Sequence, residues 1–428
     1  MVMKRKTYLK NQTIYQIYVR NHTKEGTFLS LVDDLPRIKA LGVSILYILP
    51  INPIGEIARK GQLGSPYAIK DYYLINPELG TLDDFKTFLK SAHTLGFKVL
   101  LDIVLHHSSP DATLLKEHPD FYFYKNGKLG NKVGDWSDIV DLDYSNRKLW
   151  DYMSEMLTYW VKIGVDGFRA DVAPLVPIAF WEYVREALDS KHPELIWLSE
   201  SVEPHFLTFL HENNHLGHED KELYSAFDIL YDYDVYPSLK AFLAGEKPLK
   251  PYLDGVRYQE ENYPKNYLKI RTIENHDTSR IRELCKNDLV LQNITAWSFF
   301  QNGVGYLYGG QEVKANHRPS LFDADKVDFT IHDSKFYEFI KSLVEIKKRP
   351  IFMNHQTFKI EEAVFDKVIL GVLKNEDEKA LGFFNLSGES VRVKAPLEDG
   401  IYINLINDEE VEVKKGYLLL NEPVIFLI

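Results

Sequence analysis

The first 350 residues of the chain alternate between short apolar runs and amphipathic stretches. Eight apolar runs predict β-strands, and most are continuously apolar, which is typical of strands covered on both faces. The runs lie at 13–19, 43–49, 98–105, 164–170, 195–200, 225–230, 267–273 and 303–308. Between them apolar residues recur at helical spacing, and the stretches 29–42, 81–96 and 147–164 end in glycine, where helices commonly stop. The pattern predicts an α/β fold, a (β/α)8 TIM barrel, with a doubly wound sheet as the alternative.

Two segments depart from this alternation. Residues 106–145 follow the third predicted strand, are rich in Asp, Gly, Asn and aromatic residues, and are too long for a simple loop. We expect them to form a small inserted domain, with the barrel built from 1–105 and 146–350. Residues 351–428 consist of short alternating segments separated by turn residues, which predicts a C-terminal antiparallel β-sandwich.

The overall composition excludes several classes of protein. The chain has 428 residues, of which 45% are hydrophobic, so a disordered chain is excluded. The net charge of −11 argues against nucleic acid and anionic membranes as partners, because both are polyanions. No apolar run approaches the ~18 residues of a membrane span, and residues 1–16 lack the apolar core of a signal peptide, so we expect a cytoplasmic protein. Cys285 is the single cysteine, which excludes an intrachain disulfide and zinc sites with two thiolates.

Charged side chains follow several predicted strands at the end where barrel enzymes carry their active sites. Arg169 and Asp171 close the fourth strand and Glu200 closes the fifth, one strand-helix unit later. Glycoside cleavage needs one ionised carboxylate that attacks and one carboxylic acid that protonates the leaving oxygen. We expect Arg169 to lower the pKa of Asp171, and the apolar segment before Glu200 to raise the pKa of that residue.

Four motifs resemble, in chain order, those of the α-amylase family of glycoside hydrolases and transglycosylases (family 13). They are DIVLHH (102–107), GFRADV (167–172), SE (199–200) and ENHD (274–277). The resemblance covers residues 13 to about 350, and the trailing β module fits the C-terminal domain of that family. It implies a nucleophile at Asp171, an acid/base at Glu200 and a carboxylate at Asp277 that stabilises the transition state.

The same resemblance implies a set of sugar contacts. A stacking aromatic ring is expected at Tyr67, and polar contacts at His107, Arg169, His276 and Arg280. The implied activity is that of a retaining glycosidase acting on α-1,4-glucosidic bonds of maltooligosaccharides or starch-type glucans. Retention predicts that the two catalytic carboxyls lie ~5–5.5 Å apart.

Departures from the family pattern refine these expectations. His106 stands where many members have an asparagine that binds structural calcium, and calcium prefers oxygen ligands, so we expect neither metal nor cofactor. Ala173 and Pro174 replace a Lys-His pair common in amylases, and the loop 51–69 is somewhat like that of bacterial maltosyltransferases. An α-glucan transglycosylase with the same residues is therefore the main alternative. A non-catalytic barrel protein is disfavoured, because the acidic trio is present.

Overall fold

The computed structural model describes residues 6–133, 136–265, 267–330, 333–362 and 367–428. Its largest sheet has eight parallel strands, which neighbour one another in the order β7-β6-β5-β4-β3-β2-β1-β8. The strands are β1 (Thr13–Ile17), β2 (Ile45–Ile48), β3 (Lys98–Ile103), β4 (Gly167–Ala170), β5 (Ile196–Ser199), β6 (Ile229–Tyr231), β7 (Lys269–Ile270) and β8 (Gly305–Tyr308).

The two edges of this sheet meet and close it into a barrel. The backbone nitrogen of Val304, just before β8, donates to the carbonyl of Lys269 in β7 at 2.8 Å. Val304 also forms a parallel bridge with Ile270. The predicted (β/α)8 barrel is therefore confirmed, and the doubly wound alternative is wrong, because an open sheet would leave these edges apart.

Helices surround the barrel and follow the predicted periodicity. The longest, Arg147–Ile163, is capped by the Asn146 side chain, which accepts from the Lys148 nitrogen at 3.1 Å, and it ends at Gly164 with φ of 122°. The helices are α1 (Val19–His22), α2 (Phe28–Ala40), α3 (Leu82–Thr94), α4 (Thr113–Glu117), α5 (Arg147–Ile163), α6 (Ile178–Asp189), α7 (Pro204–Glu212), α8 (Asp220–Leu223), α9 (Tyr236–Leu243), α10 (Lys250–Asn262), α11 (Ile281–Leu284), α12 (Asp288–Phe300), α13 (Ser334–Lys347) and α14 (Pro350–Asn354). In the described parts of the chain, none of them combines the length and apolarity that crossing a bilayer requires.

The segment between β3 and α5 leaves the barrel and carries short elements of its own. Residues His107–Ser108 pair antiparallel with Val140–Asp141, and Tyr124–Lys125 pair with Lys128–Leu129. The first pairing begins directly after β3, so this segment stands over the carboxyl end of the barrel. These elements lie within 106–145, the predicted insertion.

The C-terminal segment forms two layers of antiparallel strands. A four-stranded sheet has the order β9-β10-β11-β16, and the strands of two further pairs, β12 with β15 and β13 with β14, complete the module. The strands are β9 (Thr357–Glu362), β10 (Val368–Lys374), β11 (Lys379–Asn385), β12 (Val391–Lys394), β13 (Gly400–Ile403), β14 (Glu410–Val413), β15 (Tyr417–Leu420) and β16 (Val424–Leu427). Buried side chains from both layers, such as Phe383 and Leu418, share one apolar cluster, which confirms the β-sandwich prediction.

This module packs directly against the barrel. The ring of Phe384 in β11 lies 5.4 Å from that of Phe300 in α12. Gly371 allows the close approach, because a Cβ there would lie 2.6 Å from the Phe300 ring. The barrel and the sandwich therefore share part of one apolar core.

Candidate active site

A cavity of about 490 Å³ opens at the carboxyl end of the barrel strands. It lies between the barrel loops and the segment after β3, where the fold places substrate in barrel enzymes. Five of the site residues predicted from sequence line it, namely Tyr67, His107, Asp171, Glu200 and Asp277.

Asp171 and Glu200 are brought together by neighbouring strands. The backbone nitrogen of Asp171 donates to the carbonyl of Ile103, and that of Glu200 donates to Ala170, so the pairing of β3, β4 and β5 continues to both residues. Arg169 reaches both carboxylates: Nη1 donates to Oδ1 of Asp171 at 2.9 Å, and Nη2 lies 2.7 Å from Oε1 of Glu200. The shared guanidinium therefore holds the two carboxylates on the same side of the cavity floor.

The residue after Asp171 adopts a strained conformation. Val172 has φ of 36° and ψ of 44°, in the left-handed region that β-branched residues rarely adopt. This geometry turns its backbone N–H toward Glu200, and the N–H donates to Oε2 at 2.7 Å. Strain of this kind costs about 1–3 kcal/mol and here orients the second carboxylate of the pair.

Burial sets the protonation behaviour of the pair. Burial, with the neighbouring charge of Glu200, raises the pKa of Asp171 against the opposing pull of Arg169. Burial also raises the pKa of Glu200, where Arg169 again opposes it and Asp277 adds to it. The predicted direction for Glu200 is confirmed. Arg169 lowers the pKa of Asp171, as predicted, but burial and the charge of Glu200 outweigh it, so the pKa of Asp171 is raised rather than lowered.

A third buried carboxylate at Arg169, that of Asp102, was missed by the sequence reasoning. It is buried in β3 and accepts from Nη1 of Arg169 at 2.9 Å, from the Tyr47 hydroxyl at 2.7 Å and from the Tyr67 hydroxyl at 3.0 Å. Burial raises the pKa of Asp102, and Arg169 opposes that shift. The signal was present, because Asp102 opens the motif DIVLHH and lies on a strand predicted to be buried.

A second network holds Asp277 at the cleft. The Gln16 amide donates to Nδ1 of His276 at 2.7 Å, which leaves the proton on Nε2. That nitrogen lies 2.5 Å from the Tyr67 hydroxyl and 3.0 Å from Oδ2 of Asp277. Burial by itself would raise the pKa of Asp277. The contact with His276 outweighs burial, so the pKa of Asp277 is lowered. Asp277 is thus held as an anion, with its side chain 42% exposed to the cleft.

The predicted sugar contacts separate into two groups. Tyr67 and His107 line the cavity, and burial lowers the pKa of His107 to about 4, which keeps the ring neutral. The Tyr67 ring lies at 17° to that of His276 with the centroids 5.6 Å apart, and its hydroxyl meets the edge of that ring at Nε2. Arg169 and His276 lie buried beneath the cavity, where they contact the carboxylates.

The structure does not bring Arg280 to the cleft. Its side chain is fully buried, donates to Glu274 at 2.7 Å and to the Gly309 carbonyl at 2.8 Å, and lies 4.0 Å over the Tyr308 ring. The predicted sugar contact at Arg280 is therefore corrected to a structural role. The buried carboxylate of Glu274 draws the guanidinium inward, and this ties the loop after β7 to the end of β8.

The position expected to bind calcium in relatives carries nitrogen donors instead. Nδ1 of His106 lies 3.1 Å from Nδ1 of His107 and 3.8 Å from Oδ1 of Asp141. Burial lowers the pKa of His106 and raises that of Asp141 to about 6. Calcium takes 6–8 oxygen ligands, so this donor set does not fit it. Within the ranges that the structure describes, no group of three or more His, Cys, Asp or Glu side chains is arranged to hold a metal.

Two family models and several solved structures match this chain. The family model described as alpha amylase, catalytic domain, matches residues 16–359, and that described as bacterial alpha amylase C-terminal domain matches 359–426. An α-amylase structure from Lactobacillus plantarum has 42% identity and a TM-score of 0.95, with 99% of this chain and 100% of that chain covered. The structure of a noncanonic maltogenic α-amylase from Thermotoga neapolitana has 34% identity and a TM-score of 0.88, with 98% and 99% covered.

One relative is a longer protein with a transferase name. An α-1,4-glucan:maltose-1-phosphate maltosyltransferase from Picrophilus torridus is 25% identical over 420 residues. The match covers 90% of this chain but only 62% of the length of that relative. Since the catalytic-domain model spans most of the chain and the C-terminal model the remainder, the protein belongs to the α-amylase family, glycoside hydrolase family 13.

Proposed function

We propose that this protein is a retaining glycoside hydrolase that cleaves α-1,4-glucosidic bonds of maltooligosaccharides or starch-type glucans. One observation carries the proposal: Asp171 and Glu200 both contact the guanidinium of Arg169 at the floor of the cavity. This shared contact keeps the two carboxyls near each other, and the separation of ~5–5.5 Å that retention requires stays a prediction.

The proposed mechanism gives each of the three acids a separate role. Glu200, with a raised pKa, donates its proton to the glycosidic oxygen as the bond to the anomeric carbon breaks. The Asp171 carboxylate attacks that carbon and forms a β-glycosyl ester. Water then gives its proton to Glu200 and attacks the same carbon, which releases the sugar as its α-anomer and restores Asp171. Asp277 stands as an anion beside the positive charge that develops on the ring.

The charge of the cavity favours a neutral substrate over a phosphorylated one. Among the described lining residues, Lys60 is the single lysine or arginine, and its charge is already matched by a carboxylate at 2.8 Å. Five lining residues are acidic, namely Asp138, Asp171, Glu200, Glu203 and Asp277. A phosphate dianion would be repelled here, so we expect poor use of maltose-1-phosphate.

Product analysis on maltotriose tests the proposal. We expect glucose and maltose as products, with the Asp171→Asn variant as the inactive control. Oligosaccharides longer than maltotriose would instead support transglycosylation by the same residues, the alternative that the maltosyltransferase relative keeps open. No turnover of any glucan would contradict both. Cell fractionation tests the separate prediction of a cytoplasmic location.

A further inference from the structure

Three loops close one end of the cavity. The loop after β2 reaches the segment after β3 through Lys60, whose Nζ lies 2.8 Å from Oδ1 of Asp138. On its other side the nitrogen of Leu63 donates to the carbonyl of Phe322, in the loop after β8, at 2.9 Å. Gly61 allows the two loops to come this close. Its φ is 65°, and a Cβ at this position would lie 2.5 Å from the Cβ of Phe322. Residues from all three loops line the cavity, so they form a continuous wall.

The wall adjoins residues proposed to hold the retained sugar. Asp171 and Tyr67 line the cavity, and the loop that carries Lys60 leads into Tyr67. Glu200, the proposed acid, is followed along the chain by Val202 and Phe206, which line the cavity as well. A leaving chain that passes Phe206 would set the non-reducing end of the glycone toward the wall.

The residues after Glu200 offer the leaving chain a path outward. Phe206 lines the cavity, and its ring is stacked on that of Phe209 at 6.0 Å and 14°. Phe209 is 42% exposed, so the two rings extend from the cavity to the surface along α7. Aromatic faces of this kind suit the apolar faces of successive sugar rings.

We propose that the Lys60–Asp138 ion pair closes the glycone end of the cleft and restricts the enzyme to non-reducing chain ends. This inference rests on the proposed function and adds its point of attack. An ammonium group has three donors, so Lys60 can bind Asp138 and still donate to hydroxyls of the terminal glucose. Asp138 is held rigid by burial, with its side chain 6% exposed, so the pair is a fixed stop.

The test compares two maltoheptaoses, each labelled at the reducing end, one of which is capped by an ethylidene group on its terminal 4- and 6-hydroxyls. The wild-type enzyme should release short unlabelled products from the free substrate and cleave the capped one at least about tenfold more slowly, as steric exclusion in a fitted pocket gives. Lys60→Ala and, independently, Asp138→Asn should raise the capped-to-free rate ratio by about tenfold.

Lys70→Ala is the matched control. Lys70 also belongs to the region after β2 and pairs with Glu56 at 2.6 Å, but it does not line the cavity, so its loss should leave the ratio unchanged. Equal cleavage of capped and free substrate by the wild-type enzyme would overturn the inference and leave the proposed function standing. Unchanged ratios in folded Lys60 and Asp138 variants would also overturn it. Failure to cleave even the free substrate would refute the proposed function itself.

Discussion

The charge of Asp102 should raise the pKa of Asp171. The Asp102→Asn variant tests this, because it removes the charge with little change in side-chain shape. Oδ1 of Asp102 and Oδ1 of Asp171 each lie 2.9 Å from Nη1 of Arg169, so the two oxygens are at most ~6 Å apart. The hydrogen bonds that Asp102 accepts from Arg169, Tyr47 and Tyr67 favour its ionised form. At an effective dielectric constant of about 20, two charges at that distance repel by ~3 kcal/mol, or about 2 pKa units.

The sign of the effect follows from the same charges. The Asp102 anion raises the pKa of Asp171, so its neutralisation should lower that pKa. Since the nucleophile must be ionised, the acid limb of kcat/KM should move to lower pH by about 1–2 units. The variant should also lose about 2 kcal/mol of unfolding free energy, because Arg169 keeps two of its three carboxylates.

The assay is the pH dependence of kcat/KM on maltotriose, with unfolding measured in parallel. Glu312→Gln is the matched control. Like Asp102, Glu312 is buried and accepts hydrogen bonds from a tyrosine and an arginine: the Tyr15 hydroxyl and Arg37 both donate to it at 2.6 Å. It should lower stability without moving the acid limb. An unmoved acid limb in a folded Asp102→Asn variant would refute the electrostatic reasoning and leave Asp102 a purely structural role.

Three further predictions concern the proposed chemistry. Asp171→Asn should lower kcat on maltotriose by several orders of magnitude with an unchanged circular dichroism spectrum; near-normal turnover would exclude Asp171 as the nucleophile. Glu200→Gln should lose about 10²–10⁴-fold on maltotriose but far less on α-glucosyl fluoride, whose leaving group needs no proton; equal losses on both would contradict the acid role. Treatment with EDTA should leave Tm and activity unchanged, because the donors at His106 do not suit calcium, and a clear drop in Tm would show that a metal is bound.

Much of the fold could be predicted from sequence because its strands are buried on both faces. The continuous apolar runs locate all eight barrel strands, although several are shorter than predicted. The run 225–230 overlaps β6, Ile229–Tyr231, only at its last two residues. The Asp228 side chain, just before the strand, accepts a hydrogen bond from the backbone nitrogen of Trp197 at 2.9 Å. Periodicity detects burial, but it does not detect such side-chain capture of a backbone group.

Site residues that lie at strand ends could be predicted from the sequence. Contacts between side chains that are distant in sequence could not. Sequence spacing places Asp171 and Glu200 on adjacent strands, and the structure agrees. It cannot reveal that Arg169 also binds Asp102, which is 67 residues away, or that burial and the charge of Glu200 outweigh Arg169 and raise the pKa of Asp171. Arg280 likewise faces inward because of the buried carboxylate of Glu274, a partner that no spacing rule identifies.

Trapping of the glycosyl-enzyme tests the central claim most directly. The wild-type protein would be incubated with 5-fluoro-α-glucosyl fluoride, a substrate whose second step is slow, then digested and mapped by mass spectrometry. The account predicts one added fluoroglucosyl group per chain, in ester linkage to Asp171. A label on another residue, or turnover that yields β-configured product without any covalent adduct, would contradict the retaining mechanism.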